Sequence, residues 1–587
     1  MRQIIISFCA VFISCGIANA GTVEEIKRAM SDEIKRSLSE LSVEGLQKPY
    51  YVDYAVTRRT SYGIKSTLGA LLYSRSVPSA SLTVGIRVGT PKFDNTNYFD
   101  VSLGFFGSAD DEESYRNRRI PLETDYSSLR RELWLATDAA YKQAAELYSK
   151  KEAAVKNRLR NDSTPDFTPI EPAILADTVA GYARFDTRYF EALTRDLSEI
   201  FGRYPHLHGS SVGIEYLPEE TIYVNSEGRE FVKREAYIGL EVVASTQSDD
   251  GMILANTYTC YARTPQELPT RDSLLKAIEQ AATTLENTRR APRLEDSYSG
   301  PVLFEDQAAA EVFSQMFTPN LVAQRSPLTE RGVQDDERFG SFQNKIGGRV
   351  LPEFLTVQAI PQKSVFEKTS LCGSYSIDDE GMPSKNVTIV DAGYLKTLLS
   401  SRIPTKRIRE SNGHQRGGAP IMSSLLVQPN KKNSLSNADL RKKMMKFCKD
   451  RELPFGIIVR KVLNQNLLYT VLFNQTSGEY PYAQGNGKLS LIEVVKLYPN
   501  GKEEIVRGSE GAGFVVQTFK DIIAVGNKQK AYNYLAPAVM SPFMTGGSQY
   551  VISSLIIPDL LFEDAEISPI KSDFPKPPLL AAPQAQK

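Results

Sequence analysis

From Ser299 onward, strand signals follow one another with few helices between them. Apolar and β-branched runs fall at 355–360, 387–390, 424–427, 456–462, 469–472, 492–498, 513–517 and 550–557, and Pro499-Asn500-Gly501 marks a hairpin turn. The clearest helix in this half is 439–448. A long series of strands must hide its edges, and curling or closing the sheet does so. This half is therefore expected to be a β-rich, barrel-like antiparallel domain.

The first half has a different texture. Residues 22–41 read as an amphipathic helix, with Ile26, Met30, Ile34 and Leu38 on one stripe and Thr22 with Glu25 as a capping box. Strands are expected at 50–56, 70–74 and 82–88, the last alternating Leu82, Val84, Ile86 and Val88. A long helix starts near Ser127. Its distal part (Lys150, Lys151, Glu152, Lys156, Arg158, Arg160) is charged all round and expected to face solvent. "NDSTPDFTP", 161–169, reads as a linker or turn. A helix at 188–200, a hairpin of 236–244 with 252–261, and a helix at 272–285 complete this half. The expected fold class is α+β. An N-terminal α/β layered region covers 21–295, the β-rich domain covers 296–567, and a disordered proline-rich tail covers 568–587.

Residues 1–20 read as a signal peptide. Arg2 precedes an apolar run at 4–17, and Ala18-Asn19-Ala20 forms an A-x-A site before Gly21. The chain is thus expected to be secreted or periplasmic, with lipidation of Cys15 as the weaker alternative. No later apolar run is long enough to span a bilayer. Lys+Arg and Asp+Glu both number 70, a balance that gives no reason to expect nucleic acid as a partner. Cleavage would leave Cys260, Cys372 and Cys448, an odd and scattered set that makes neither a disulfide scaffold nor a zinc ribbon.

Candidate chemistry is sparse. His206 and His208, one residue apart, could hold a metal, but no carboxylate cluster accompanies them, and a polar loop after a helix is the plainer reading. Pairing His414 with Cys260, Cys372 or Cys448 would give a nucleophile and base, against buried small hydrophobes as the simpler reading. "QGNGK", 484–488, lacks the spacing of a phosphate loop. The basic helix 439–448 suits a solvated face better than a membrane surface. The loop 400–420 is more suggestive. Arg402, Lys406, Arg407, Arg409 and Arg416 surround Ser411-Asn412-Gly413-His414, which suits a carboxylate, a phosphate or a peptide terminus, with a solvated connection equally open. Just upstream, Asp378, Asp379 and Glu380 could bind a cation, stand behind other groups as acceptors, or cap a strand and turn.

These pieces together resemble a known family. "SIDDEGMPSKNVTIVDAGYLKTLLSSR" (376–402) is similar to the D-D-E-G…G-x-L-K segment of the TldD/PmbA family, also called modulator-of-gyrase or U62 peptidases. "VNSEG" (224–228), "SGPVLFEDQAAAEVF" (299–313), "NKIGGRVLPEFLTV" (344–357), "SNGHQRGGAP" (411–420) and "IPDLLFEDAEI" (557–567) resemble further family segments in the same order. The resemblance implies an α/β N-terminal region, a β-rich C-terminal domain, and dimers enclosing a proteolytic chamber. It also implies metal ligands in the active subunit, from H-E-x-x-x-H on the central helix and a late cysteine, with a partner subunit that lacks them. Laid over this chain, the motif falls on Glu305, Asp306 and Ala310, and "APAVMSPFMTGG" (536–547) has no cysteine. The chain thus resembles the metal-free PmbA/TldE type. It is expected to be non-catalytic, to use no cofactor, and to bind peptide or pair as a homodimer or with a metal-bearing relative. Arg402, Arg409, Asn412, His414, Arg416, Asp378, Asp379 and Glu380 are the candidate substrate-binding residues. The alternatives are a metallopeptidase built on His206 and His208, or a stand-alone binding protein.

Overall fold

The computed structural model describes residues 21–98, 100, 118–156, 163–176, 182–326, 328–329, 332–333, 341–464, 488–537, 550–578 and 580. The expected signal peptide, the strand at 469–472, residues 484–487 of the glycine run and 538–547 of the late-cysteine region lie outside the described residues.

Helix α1 (Val23–Glu40) begins at the capping box: the Thr22 hydroxyl accepts the Glu25 N–H, and the Glu25 carboxylate accepts the Thr22 N–H. Strands β1 (Pro49–Thr67) and β2 (Ala70–Thr90) then form one long hairpin, turning at Leu68 and Gly69, both at positive φ. The three shorter strands expected here are thus two. Polar residues at 57–60 look like a break in the sequence, but a strand needs only one apolar face.

Helix α2 (Tyr126–Lys156) and helix α3 (Thr187–Glu199) precede strands β3 (Leu207–Asn225), β4 (Arg229–Gln247) and β5 (Ile253–Ala262). The five long strands run β2-β1-β3-β4-β5, each antiparallel to the next, and the short stretch Ala173–Ala176 pairs in parallel with β4. Val52, Tyr54, Val56, Ile222 and Val224 pack with apolar residues of α1 and α2. Farther along, Ile64, Val212, Ile214, Ile238 and Leu240 pack with α3 and helix α4 (Arg271–Arg290). All these residues share one face of the sheet. Alternation turns Asp53, Thr57, Thr221, Tyr223, Phe231 and Lys233 to the other face, towards the C-terminal half.

The distal part of α2 is not simply solvated. Lys151 is buried, and its ammonium donates to Asp94 O (2.9 Å) and Asp166 Oδ2 (2.6 Å). The stretch expected to be a linker supplies that partner and bonds Thr168 N–H to Arg402 O (2.9 Å). A buried ammonium with a carboxylate in reach pairs rather than snorkels to water.

The C-terminal half opens with β6 (Tyr298–Phe304), followed directly by α5 (Asp306–Met316). After β7 (Leu355–Ala359), β8 (Val387–Asp391) and β9 (Ser424–Pro429) come α6 (Asn437–Asp450), β10 (Gly456–Val462), β11 (Leu489–Leu497), β12 (Ser509–Ala512), β13 (Ile522–Pro537) and β14 (Tyr550–Pro569). The five strands β14-β12-β11-β10-β6 form a closed barrel, because β6 pairs back onto β14 with Phe304 opposite Leu560. The sheet is mixed rather than purely antiparallel: β6 runs parallel to β10, and β9 runs parallel to β14. β6 is buried on both faces. Val302 and Phe304 join the main core around α5, and Leu303 joins a smaller core with Leu440 and Met444 of α6.

The described tail lies against the body. β14 continues through Ser568 and Pro569, Ile570 N–H bonds to Gly508 O (2.8 Å), and Gln247 Nε2 donates to Pro575 O (2.7 Å). Composition put this boundary too early, since an extended proline-rich segment can order by docking its carbonyls on other parts of the chain. No helix among the described residues is long and apolar enough to cross a membrane, which says nothing about strands.

Candidate functional site

The handover from β6 to α5 places the three positions of the H-E-x-x-x-H overlay. Asp306 starts the helix at φ +48°, and its N–H donates to Asp559 Oδ1 (2.9 Å). Glu305 is 8% exposed and accepts from Asn437 Nδ2 (2.8 Å), Arg441 Nη2 (3.0 Å) and Arg460 Nε (3.4 Å). The Asp306 side chain pairs with Lys530. Ala310 is 1% exposed, within the core. These side chains do not fit a hydrolytic metal. Such a metal needs imidazole, thiolate or free carboxylate donors converging on one point. Here one carboxylate is shared among three side-chain nitrogens, one is paired with an ammonium, and the third position has no donor. Among the described residues no group of three or more His, Cys, Asp and Glu is placed to hold a metal ion.

The polar group that α5 carries inward is Glu311, which the sequence did not single out. Its carboxylate accepts from Tyr532 OH (2.6 Å), Asn464 Nδ2 (3.0 Å) and Gln315 Nε2 (2.7 Å). Asn464 reaches on to Thr257 and Thr259 of β5, so this network ties the two halves together.

His206 precedes β3, and His208 lies at its start. Partial burial lowers the pKa of His208, and the Arg289 guanidinium lowers it further. A neighbouring cation disfavours a second one, so the histidine-pair alternative gains nothing from the geometry. Burial also raises all the described thiols, Cys260 to about 11, and they are protonated at neutral pH. His414 is fully buried, with Nδ1 3.0 Å from Asn412 O, and its pKa is pushed down to about 4, chiefly by burial.

The structure separates the loop residues that the sequence grouped. Arg402 is buried, with Nε on Thr168 O (2.9 Å), Nη2 on Glu227 (2.5 Å), and its guanidinium 4.0 Å from the Phe167 ring centre. Asn412 stays within its loop, accepting from Ser400 N–H (2.8 Å) and donating to Leu398 O (2.8 Å). Asp378 accepts the N–H groups of Glu380, Met382 and Gln415 (2.8–3.2 Å), and Glu380 accepts the Arg402 N–H (2.9 Å). These four residues hold loops in shape. Arg409, with Lys406 and Arg407, is exposed on the outer surface. Asp379 and Arg416 face the cleft.

That cleft, with a volume of about 1180 Å³, is lined by the sheet face that α1, α3 and α4 leave uncovered, by loops of the C-terminal half, and by Ala139, Gln143 and Leu147 of α2. Its floor is ordered by strand register. Asp53 stands between Gly85 and Asn225, Ala55 between Thr83 and Tyr223, and Thr57 between Ser81 and Thr221. Tyr223 and Phe231 stack at 4.7 Å. Lys233 bonds Asp379 Oδ1 (2.7 Å) and Glu235 (3.0 Å). The Arg416 guanidinium lies 4.8 Å from the Tyr375 ring centre. Asp53 accepts no hydrogen bond among the described residues, and burial pushes its pKa up to about 6. Strand alternation in β1, β3 and β4 was the one available sequence signal for this floor, since the polar members of an amphipathic strand are visible before their use is.

Residues 297–569 match the PmbA/TldA metallopeptidase C-terminal domain. No match was found among curated protein sequences. Among solved structures, one described as a modulator of a DNA gyrase from Thermotoga maritima MSB8 superposes with a TM-score of 0.59 at 15% identity, covering 93% of this chain and 100% of that one. TldE from Thermococcus kodakarensis superposes at 0.53 with 14% identity, covering 92% and 100%. A protein described as a modulator of DNA gyrase from Bacteroides thetaiotaomicron superposes at 0.56 with 13% identity, covering 93% and 98%. The matched domain contains the barrel, α5 and the loops that roof the cleft, the fold agrees along nearly the whole chain, and residues 297–569 belong to the TldD/PmbA family as its C-terminal domain.

Proposed function

We propose that this chain binds peptide in the cleft and carries no catalytic metal of its own. The observation behind this reading is the chemistry at the three motif positions: a glutamate held by Asn437, Arg441 and Arg460, an aspartate paired with Lys530, and a core alanine. The cleft supports the binding half of the proposal. Its volume suits several peptide residues, its middle is aromatic, and its ends carry charge. In this reading the chain acts as the metal-free member of a dimer, with a second copy or with a metal-bearing relative, and works outside the cytosol. The apolar run at 4–17 and Ala18-Asn19-Ala20 support export.

Calorimetric titration with short peptides, chromatography of those peptides after incubation, and elemental analysis test the reading. The peptides should bind and emerge intact, without stoichiometric zinc. One zinc per chain that is lost in His206→Ala or His208→Ala, together with chelator-sensitive cleavage, would replace this reading with a metallopeptidase. The mass of the native protein should begin at Gly21, and an intact Met1 in a cytosolic fraction would refute export.

A further inference from the structure

Asp53 has an unusual set of neighbours. Arg87 and Arg402 are the cations around it, and Glu380 and Glu227 the other acids, with the Tyr51 and Tyr223 hydroxyls beside them. Both guanidiniums already have partners. Arg87 bonds Asp94 Oδ2 (3.0 Å) and Thr96 Oγ1 (2.8 Å), and Arg402 bonds Glu227 and Thr168 O. Carboxylates therefore outnumber cations at this end of the cleft. The carboxylate left over is the one that faces the cavity and accepts no hydrogen bond among the described residues. Gly85 makes room for it, because a side chain there would collide with Asp53 Oδ1.

We propose that Asp53 anchors a primary ammonium of the bound ligand, such as a peptide N-terminus or a lysine side chain. This rests on the peptide-binding reading above. An ammonium supplies both the missing positive charge and hydrogen-bond donors. A metal ion fits less well, since no metal-holding cluster exists among the described residues. The far end of the cleft sets the register. Lys233 lies in the row of Thr57 and Thr221, four residues along and two strands across from Asp53. At ~3.3 Å per residue and ~4.8 Å per strand that is roughly 16 Å, or about five extended residues. Arg416, beside Lys233 and Asp379, then meets the carbonyls or carboxylate of the ligand.

The test uses the full chain, fluorescence anisotropy, and lysine-free pentapeptides labelled at the C-terminus. A free N-terminus should bind about tenfold or more tightly than its N-acetylated twin, the range expected for a charged hydrogen bond. Asp53→Asn should erase that difference. Binding of the free peptide should strengthen as the pH rises through about 6, where Asp53 ionises, and should stay flat in the variant. An N-acetylated peptide with one internal lysine, bound in an Asp53-dependent way, would assign the ammonium to a side chain. Equal binding of free and acetylated peptides, with no gain from an internal lysine, would overturn the anchor and leave the peptide cleft standing. Binding of neither would overturn both. The acetylation comparison needs no variant, so it holds even if Asp53→Asn folds poorly.

Discussion

His414 carries a pH dependence of its own. Burial, with the Arg416 charge adding to it, holds the imidazole neutral against an Asn412 contact that favours the proton. Its folded value of about 4 lies below the ordinary 6.5. Between those values the unfolded chain takes up a proton that the folded chain refuses. The stability His414 confers is therefore complete above about 6.5 and is lost as the pH falls towards 4, on the order of 3 kcal/mol in all. Asp53 works in the opposite sense. Its folded value is raised to about 6, so its contribution is present below about 4 and lost as the pH rises through 6. Urea unfolding of wild type and His414→Gln at pH 7 and pH 4.5 separates the two. The wild type should lose about 2–3 kcal/mol more than the variant on acidification, and equal losses would show that the imidazole titrates freely in the folded state.

At the scale of elements, α5 explains why the motif positions cannot be refilled one at a time. Ala308, Ala309 and Ala310 bring the helix close to its neighbours, in a core shared with Phe304, Phe313 and Phe562. Ala310→His, the single change that would restore that ligand, should cost about 1–3 kcal/mol by overpacking and bind no zinc. Thermal melting with elemental analysis checks both, and an undiminished melting temperature would mean the core has slack there. The helix itself was legible in "FEDQAAAEVF", because a buried strand running into helix formers has a clear signature. The inward role of Glu311 was not, since its partners Asn464 and Tyr532 lie 153 and 221 residues away. The loop residues show the same limit. Arginines and acids spaced along 378–416 look alike in sequence, and only packing separates Arg402, locked under Phe167, from Arg416, which lines the cleft against Tyr375. The barrel was legible as strands but not as closure, because closure rests on β6 meeting a strand more than 250 residues later.

For the whole molecule, a dimer is the expected state. Light scattering of the pure protein, and then of a mixture with a metal-bearing relative, should find dimers that persist at low micromolar concentration, as interfaces on the order of 2,000 Å² do. Monomers in both samples would favour the stand-alone binding protein. Within one chain, the two halves are joined by buried polar contacts rather than by a flexible hinge. Arg402 of the C-terminal half is held by Thr168 and Glu227, Asn464 by the threonines of β5, and Asn533 donates to Tyr261 O (2.9 Å). Pulling the halves apart would strip each of these groups of its partner before water could reach it. The boundary near 295 is therefore no seam for melting. Heat should find one transition rather than two, and a calorimetric trace with two resolved transitions would show that the halves melt on their own.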